Sequence, residues 1–293
     1  MLNNKEPTKD VSKDDIKNKI PQITSSLNRV IKISKNISFG KKNIPIIAGP
    51  NGVESEKLMH KVAKNLVKNK VQIIRGHSYK PLTFPYRSKQ YFETQDKGMD
   101  IMDSIKKNYG LKVVTEVTEI RYLDRINKTA DILQIGSRNM QNFELLREIA
   151  KCNKPIILKR HFGSSLRDFL GAAEHLIVFG NKKIILCERG VSIPHTHKET
   201  SRFALDLQIV PAIKEICKYP VIVDPSHACF WAKWVPSLTF ASVASGCDGL
   251  IIEMHPNPKK SAVDPLQPLN FKEFNSLRLK LKKIAKSINR NIF

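Results

Sequence analysis

Eight short runs rich in Ile, Val and Leu recur along the chain, spaced so that one helix fits between each pair. This rhythm restricts the fold more than any other feature. The runs are "IPIIAG" (44–49), "VQIIRG" (71–76), "LKVVTEV" (111–117) and "DILQIG" (131–136), then "KPIILK" (154–159), "KKIILCE" (182–188), "YPVIVDPS" (219–226) and "DGLIIEMH" (248–255). Runs this short and continuously apolar suit parallel strands buried on both faces, because a half-solvated strand would alternate apolar with polar residues. Helical spacing fills the gaps, as in Leu58, Val62 and Leu66, or Leu145, Leu146 and Ile149, or Ile209, Ile213 and Ile216. Eight βα units in about 250 residues predict an α/β fold of the closed (β/α)8 TIM-barrel type rather than an open doubly wound sheet. No GxGxxG follows the first run, which argues further against a dinucleotide fold. The barrel is expected over residues 41–293. Residues 1–40 are polar and weakly periodic from Ile23 to Ile33, and predict an N-terminal extension, partly helical or disordered.

Composition excludes several classes. No apolar run approaches the roughly 18 residues of a membrane span, and the first twenty residues lack an apolar signal core, so a cytoplasmic protein is expected. Five scattered cysteines with no CxxC pair read as reduced core thiols. The net charge of +23 raises the question of nucleic acid. The lysines are dispersed, however, with no basic stripe interleaved with aromatics, and the partners expected are small anions rather than nucleic acid or membrane.

In a (β/α)8 barrel the C-terminal ends of all eight strands open on one mouth, where catalytic groups sit. Here those ends carry Asn51, Arg75 and Lys80, Glu116, Arg138, Lys159 and Arg160, Glu188 and Arg189, Asp224 and His227, and finally Glu253 and His255 with Asp264 beyond. Arg75, Lys80, Arg138, Lys159 and Arg189 come from several different strands and would face one another. Guanidinium forks match phosphate and carboxylate geometry, and a lysine supplies a point charge or a proton. A small polyanion carrying phosphate and carboxylate is therefore the expected ligand. His227, Glu253 and Asp264 divide evenly between a divalent metal site of the Mn, Fe or Zn type and a hydrogen-bonded set that fixes two loops. His195 and His197 read as surface or substrate-facing residues. No nucleotide or organic cofactor is expected.

The stretches "IAGPNGVES", "RGHSYKPLTFPY", "TEVTE", "LQIGSRNMQNFELL", "ILKRHF", "GNKKIILCERG", "VIVDPSHA" and "IIEMHPNPKKSAVDPLQPL" run in order from about residue 44 to 270. In them the chain resembles the phosphoenolpyruvate-dependent 3-deoxy-ulosonate phosphate synthases, most of all the short type of 3-deoxy-D-arabino-heptulosonate 7-phosphate (DAHP) synthases. The resemblance implies a (β/α)8 barrel, usually dimeric or tetrameric. It also implies an aldol-type condensation of phosphoenolpyruvate with an aldose phosphate in the shikimate pathway. It places Arg138, Lys159 and Arg189 on phosphoenolpyruvate, with Arg75 and Lys80 completing that pocket. Lys80, Glu116, Lys159 and His227 become the catalytic candidates, and Pro81, Thr83 and Arg202 the candidates for the second substrate. His227, Glu253 and Asp264 match the family's metal ligands, but Asn51 stands where the family has a cysteine. A neutral amide is a poorer transition-metal ligand than a thiolate, and a metal-independent branch of the related 3-deoxy-D-manno-octulosonate 8-phosphate (KDO 8-phosphate) synthases carries asparagine there. Metal dependence is accordingly expected to be weakened or dispensable. Leu82 and Phe84 replace the Arg and Ser that hold the phosphate of erythrose 4-phosphate in DAHP synthases. Losing that clamp costs about 2–3 kcal/mol of affinity, so a different aldose is the alternative expectation.

Overall fold

The computed structural model describes residues 18–25, 30–81, 93–194, 203–229 and 231–292. A short helix α1 (Pro21–Thr24) and an antiparallel pair, β1 (Ile31–Lys32) and β2 (Ser38–Phe39), precede the barrel. The eight barrel strands are β3 (Ile46–Gly49), β4 (Ile73–Arg75), β5 (Lys112–Glu116), β6 (Ile132–Ile135), β7 (Ile156–Lys159), β8 (Ile184–Glu188), β9 (Val221–Val223) and β10 (Gly249–Glu253). They pair in parallel and in chain order, and β10 closes on β3. The principal helices are α2 (Glu56–Lys68), α3 (Gln95–Tyr109), α4 (Leu123–Thr129), α5 (Phe143–Lys151), α6 (Leu166–Val178), α7 (Ile209–Ile216), α8 (Pro225–Ala228), α9 (Val235–Ala244) and α10 (Phe271–Ser287). Local chemistry sets their starts. Ser165 with Asp168, and Asn270 with Glu273, form capping boxes that satisfy otherwise orphaned backbone N–H groups. None of the described helices is long and apolar enough to cross a membrane.

The period of two along each strand separates two apolar clusters. Ile46, Ile74, Val113, Leu133, Leu158, Leu186, Val223 and Ile252 belong to the cluster shared with the surrounding helices. The alternate residues Ile47, Ile73, Val114, Ile132, Ile157, Ile185, Ile222 and Ile251 form a separate inner layer. Seven isoleucines and a valine fill the interior because β-branched side chains pack well on a pleated surface, each burial contributing about 1.5–3 kcal/mol. The next inward position, two residues on, is Gly49, Arg75, Glu116, Gln134, Lys159, Cys187, Asp224 or Glu253. One step along five of the eight strands, at Arg75, Glu116, Lys159, Asp224 and Glu253, thus changes the interior from hydrocarbon to charge. A one-residue register slip would bury these charges among the helices, so the chemistry and the fold enforce the same pairing. Gly49 has a φ of 146°, and a Cβ there would lie 2.3 Å from the Arg75 carbonyl oxygen, so this strand end admits only glycine.

In the weakly periodic segment from Ile23 to Ile33, α1 ends at Thr24 and Ile31 lies in β1. Ile31, Ile37 and Phe39 pack on the inner isoleucine layer and close the end of the barrel opposite the catalytic mouth. The seventh strand stops at Val223, because Asp224 accepts the His227 backbone N–H and caps the helical turn α8. That turn, not a strand end, presents His227.

Candidate active site

A cavity of about 470 Å³ opens at the C-terminal ends of the strands. Lys80, Arg138, Lys159 and Arg189 line it together with Glu116, His227, Asp264 and Asn51. Each of the eight barrel strands, or the segment that follows it, contributes one of these residues, and closure of the barrel brings them around one cavity.

On one wall, the Lys80 ammonium donates to Glu116 Oε2 at 2.7 Å, and Gln134 Nε2 donates to the same oxygen at 3.3 Å. Burial alone would raise the Glu116 carboxyl, but the neighbouring Lys80 outweighs it, assisted by His77 and Lys159, and holds the group at about 2. The Glu116 backbone N–H donates to His77 Nδ1 at 2.9 Å, which leaves the ring proton on Nε2. Burial keeps His77 neutral by lowering its pKa well below the usual value. Gly136 makes room for this carboxylate, since a Cβ there would lie 2.1 Å from Glu116 Oε1.

On the opposite wall, Lys159 Nζ donates to Asp224 Oδ2 at 2.5 Å, both groups being buried. Asp224 also accepts from His227, with Nδ1 2.9 Å from Oδ2. Burial would raise the Asp224 carboxyl, yet His227 and Lys159 pull it well below the normal range. For His227, burial prevails over the attraction of Asp224, and its pKa falls to about 3. The imidazole is therefore neutral, with its proton on Nδ1 toward Asp224 and the Nε2 lone pair left facing Glu253 Oε2 at 3.7 Å.

Ligand atoms of His227, Glu253 and Asp264 lie within 4.8 Å of one another. Glu253 is fully buried and burial raises its carboxyl to about 7, although Arg75 opposes the shift. Its Oε2 accepts from Gln267 Nε2 at 2.6 Å, whereas Oε1 has no hydrogen-bond partner among the described residues. An orphaned buried carboxylate oxygen beside a neutral imidazole lone pair fits a divalent cation. The fourth corner is Asn51, whose Nδ2 donates to Asp264 Oδ2 at 3.2 Å. The set therefore fits a hard or borderline divalent ion but contains no thiolate.

The expected cations do not all occupy the same depth. Arg75 is fully buried and does not line the cavity. Its Nη2 lies 3.0 Å from Glu253 Oε2 and its Nε donates to the Gly49 carbonyl, while the terminal nitrogens have no aligned hydrogen-bond acceptor among the described residues. It thus sits beneath the site as a fixed positive charge. Arg138 is exposed at the rim, on the 3₁₀ turn Ser137–Asn139. Arg189 stacks on Phe203, 4.2 Å from the ring centroid, and Nη2 donates to the His227 carbonyl at 3.0 Å. Arg160 and Glu188 pair with each other at 3.1 Å outside the cavity, and Arg160 also bonds Asp206. His255 pairs with Glu54 rather than joining the metal cluster. Pro81 lines the cavity, whereas Thr83 and Arg202, like Leu82, Phe84, His195 and His197, lie outside the described residues.

Gln134, His77, Phe162 and Phe203 belong to the site but carried no functional expectation. Gln134 had a signal: a lone amide in a buried strand, at an inward position. The two phenylalanines had none, because apolar residues in loops are commonplace.

A family model described as the DAHP synthetase I family matches residues 28–290. Phospho-2-dehydro-3-deoxyheptonate aldolase of Thermotoga maritima is 38% identical over 253 residues, covering 86% of this chain and 73% of that protein. A 2-dehydro-3-deoxyphosphooctonate aldolase of Francisella tularensis subsp. mediasiatica is 29% identical over 206 residues, covering 66% and 73% respectively. A solved structure, a truncated form of 3-deoxy-D-arabino-heptulosonate 7-phosphate synthase from Thermotoga maritima, superposes with a TM-score of 0.85 at 34% identity. That match covers 94% of this chain and 100% of the truncated one.

Proposed function

The chain belongs to the DAHP synthetase I family, and on that premise we propose that it condenses phosphoenolpyruvate with an aldose phosphate and water, releasing phosphate and a 3-deoxy-ulosonate phosphate. Erythrose 4-phosphate is the acceptor that the family membership favours, which makes the chain a DAHP synthase. The convergence of Lys80, Arg138, Lys159 and Arg189 on one cavity carries the reading. Four cations from separate elements match a small trianion, and fixed positive charge stabilises the phosphate as it departs.

In this reading Lys159 and Arg189 hold phosphoenolpyruvate deep in the cavity and Arg138 closes on its phosphate at the rim. C3 of phosphoenolpyruvate bonds to the aldehyde carbon, water adds to C2, and the C2–O bond to phosphate breaks with the bridging oxygen leaving on phosphate. A carboxylate held at about 2 is a weak base, so Glu116 orients the water by accepting its hydrogen bond rather than by removing its proton outright. Lys80, hydrogen-bonded to Glu116, lies on the path by which a proton leaves the water and reaches the aldehyde oxygen. His227 keeps its Nε2 lone pair available because Asp224 holds Nδ1–H.

His227, Glu253 and Asp264 would hold a divalent ion of the Mn, Fe or Zn type, which supplies Lewis-acid polarisation of the aldehyde oxygen. With Asn51 at the corner, binding is weak and turnover without metal is retained. The second reading is an aldose other than erythrose 4-phosphate. Leu82 and Phe84 favour it, as does the stacked Phe162–Phe203 wall of the cavity. A panel of aldose phosphates, assayed by loss of phosphoenolpyruvate absorbance, tests both. Turnover with any member supports the reaction class, the best member names the acceptor, and no turnover with any member overturns the reading.

A further inference from the structure

The segment between His255 and Leu269 delivers Asp264 to the cavity, yet its only regular structure is the 3₁₀ turn Pro258–Lys260. Its base is closed where Met254 bridges Leu269, and the His255 N–H donates to the Leu269 carbonyl at 3.0 Å. A loop of this length held only at its base would leave Asp264 wandering. Moreover, Asp264 has a φ of 51°, a left-handed backbone that an L-residue adopts less readily than glycine and that the surrounding contacts must hold.

A second fastening comes from the turn that follows β3. Glu54 Oε1 accepts the Ala262 backbone N–H at 3.0 Å and lies 3.4 Å from Ser261 Oγ. Glu54 Oε2 lies 3.5 Å from His255 Nε2. The Asn257 N–H donates to His255 Nδ1, so the ring proton sits on Nε2 and faces Glu54. Ser261 Oγ in turn donates to the Val263 carbonyl at 2.7 Å, tightening the chain immediately before Asp264. One carboxylate thus holds the residues leading into Asp264 through the Ala262 N–H, with the His255 ring packed 3.5 Å from its other oxygen. The same turn carries Asn51, three residues earlier, which meets the Asp264 carboxylate itself.

We propose that Glu54, through the hydrogen bond it accepts from the Ala262 N–H, is a positioning residue that sets the backbone of Asp264 and hence the geometry of the catalytic corner. It touches neither the cavity nor any reacting atom and acts through the loop. The proposal rests on the condensation reading above for its effect on turnover, but not for its effect on the loop.

The full-length chain is compared with Glu54→Ala, Glu54→Gln, Asp264→Ala and the double variant Glu54→Ala/Asp264→Ala. Glu54→Ala is expected to lower kcat about 10- to 100-fold, the usual effect of losing a partner that orients a site group. KM for phosphoenolpyruvate should stay within twofold, because the cations that hold it lie on other strands. Glu54→Gln, which keeps an acceptor for the Ala262 N–H, should recover part of the loss, and it substitutes for Glu54→Ala in the double variant if the alanine form does not fold. The double variant should be no slower than Asp264→Ala alone. Hydrogen exchange should accelerate in the loop peptide spanning 256–266 and not in the barrel strands. Multiplying effects of the two substitutions, or unchanged exchange in that peptide, would overturn the proposal. If the wild-type chain turns over no aldose, the condensation reading fails, and the exchange result alone then upholds or overturns the latch.

Discussion

Gly136→Ala probes the wall on which the proposed chemistry depends. Gly136 has a φ of −68°, which any residue adopts, so its backbone does not require glycine. The requirement is space, since an added Cβ would meet Glu116 Oε1 at 2.1 Å and Cδ at 2.9 Å. The carboxylate must retreat by about 1 Å, and a misplacement of that size costs on the order of 100-fold in rate. The retreat also stretches the Lys80–Glu116 contact, now 2.7 Å, beyond hydrogen-bonding length. Loss of that charge-assisted bond lowers stability by about 1.5–3 kcal/mol. The measurements are kcat and KM from phosphoenolpyruvate absorbance, with a urea midpoint for stability. The expected result is a kcat lowered about 100-fold and a measurable but incomplete loss of stability. A variant with wild-type kcat would refute the reasoning, because it would mean that the position of Glu116 does not matter to turnover.

Three further outcomes are expected. Asn51→Cys should raise the affinity for Mn²⁺ or Zn²⁺ at least tenfold by calorimetry, and should make turnover sensitive to chelator when the wild-type enzyme is not. Arg138→Ala should raise KM for phosphoenolpyruvate about tenfold or more without moving the thermal midpoint, because its side chain is exposed at the rim and supports no packing. The Glu116 carboxyl is depressed from 4.5 to about 2 in the folded state, so the unfolded chain binds its proton first as pH falls. The stabilisation is complete above about 4.5 and is lost between there and 2, on the order of 3 kcal/mol in urea midpoints across that window. Glu116→Gln should flatten that part of the profile, and an equally steep acid limb in the variant would assign it to other groups.

The barrel was legible because burial on both faces leaves strands without alternation, and eight such strands spaced by amphipathic helices have few alternatives. The charged layer was legible for the same reason. Arg75, Glu116, Lys159 and Glu253 each interrupt an apolar run where hydrocarbon alone would serve stability. Depth was not legible. Arg75 ends β4 and Arg138 follows β6, and one is sealed under Glu253 while the other stands at the rim, a difference set by pairing across the barrel. The plug made by Ile31, Ile37 and Phe39 was equally hidden. Two-residue strands give no periodic signal, and their burial depends on the barrel floor they cover. Asp224 shows a third limit. Its neighbour His227 suggested chemistry, but only the folded turn shows that Asp224 caps α8, pairs with Lys159 and fixes the imidazole tautomer at once.

Running the condensation in ¹⁸O-labelled water, with mass spectrometry of both products, reports which bond to the bridging oxygen breaks. Water added to C2 and a departing phosphate that keeps the bridging oxygen require the label in the ulosonate phosphate and none in the released phosphate. Label in the phosphate, with an unlabelled sugar acid, would show attack at phosphorus and contradict the roles given to Glu116 and the four cations.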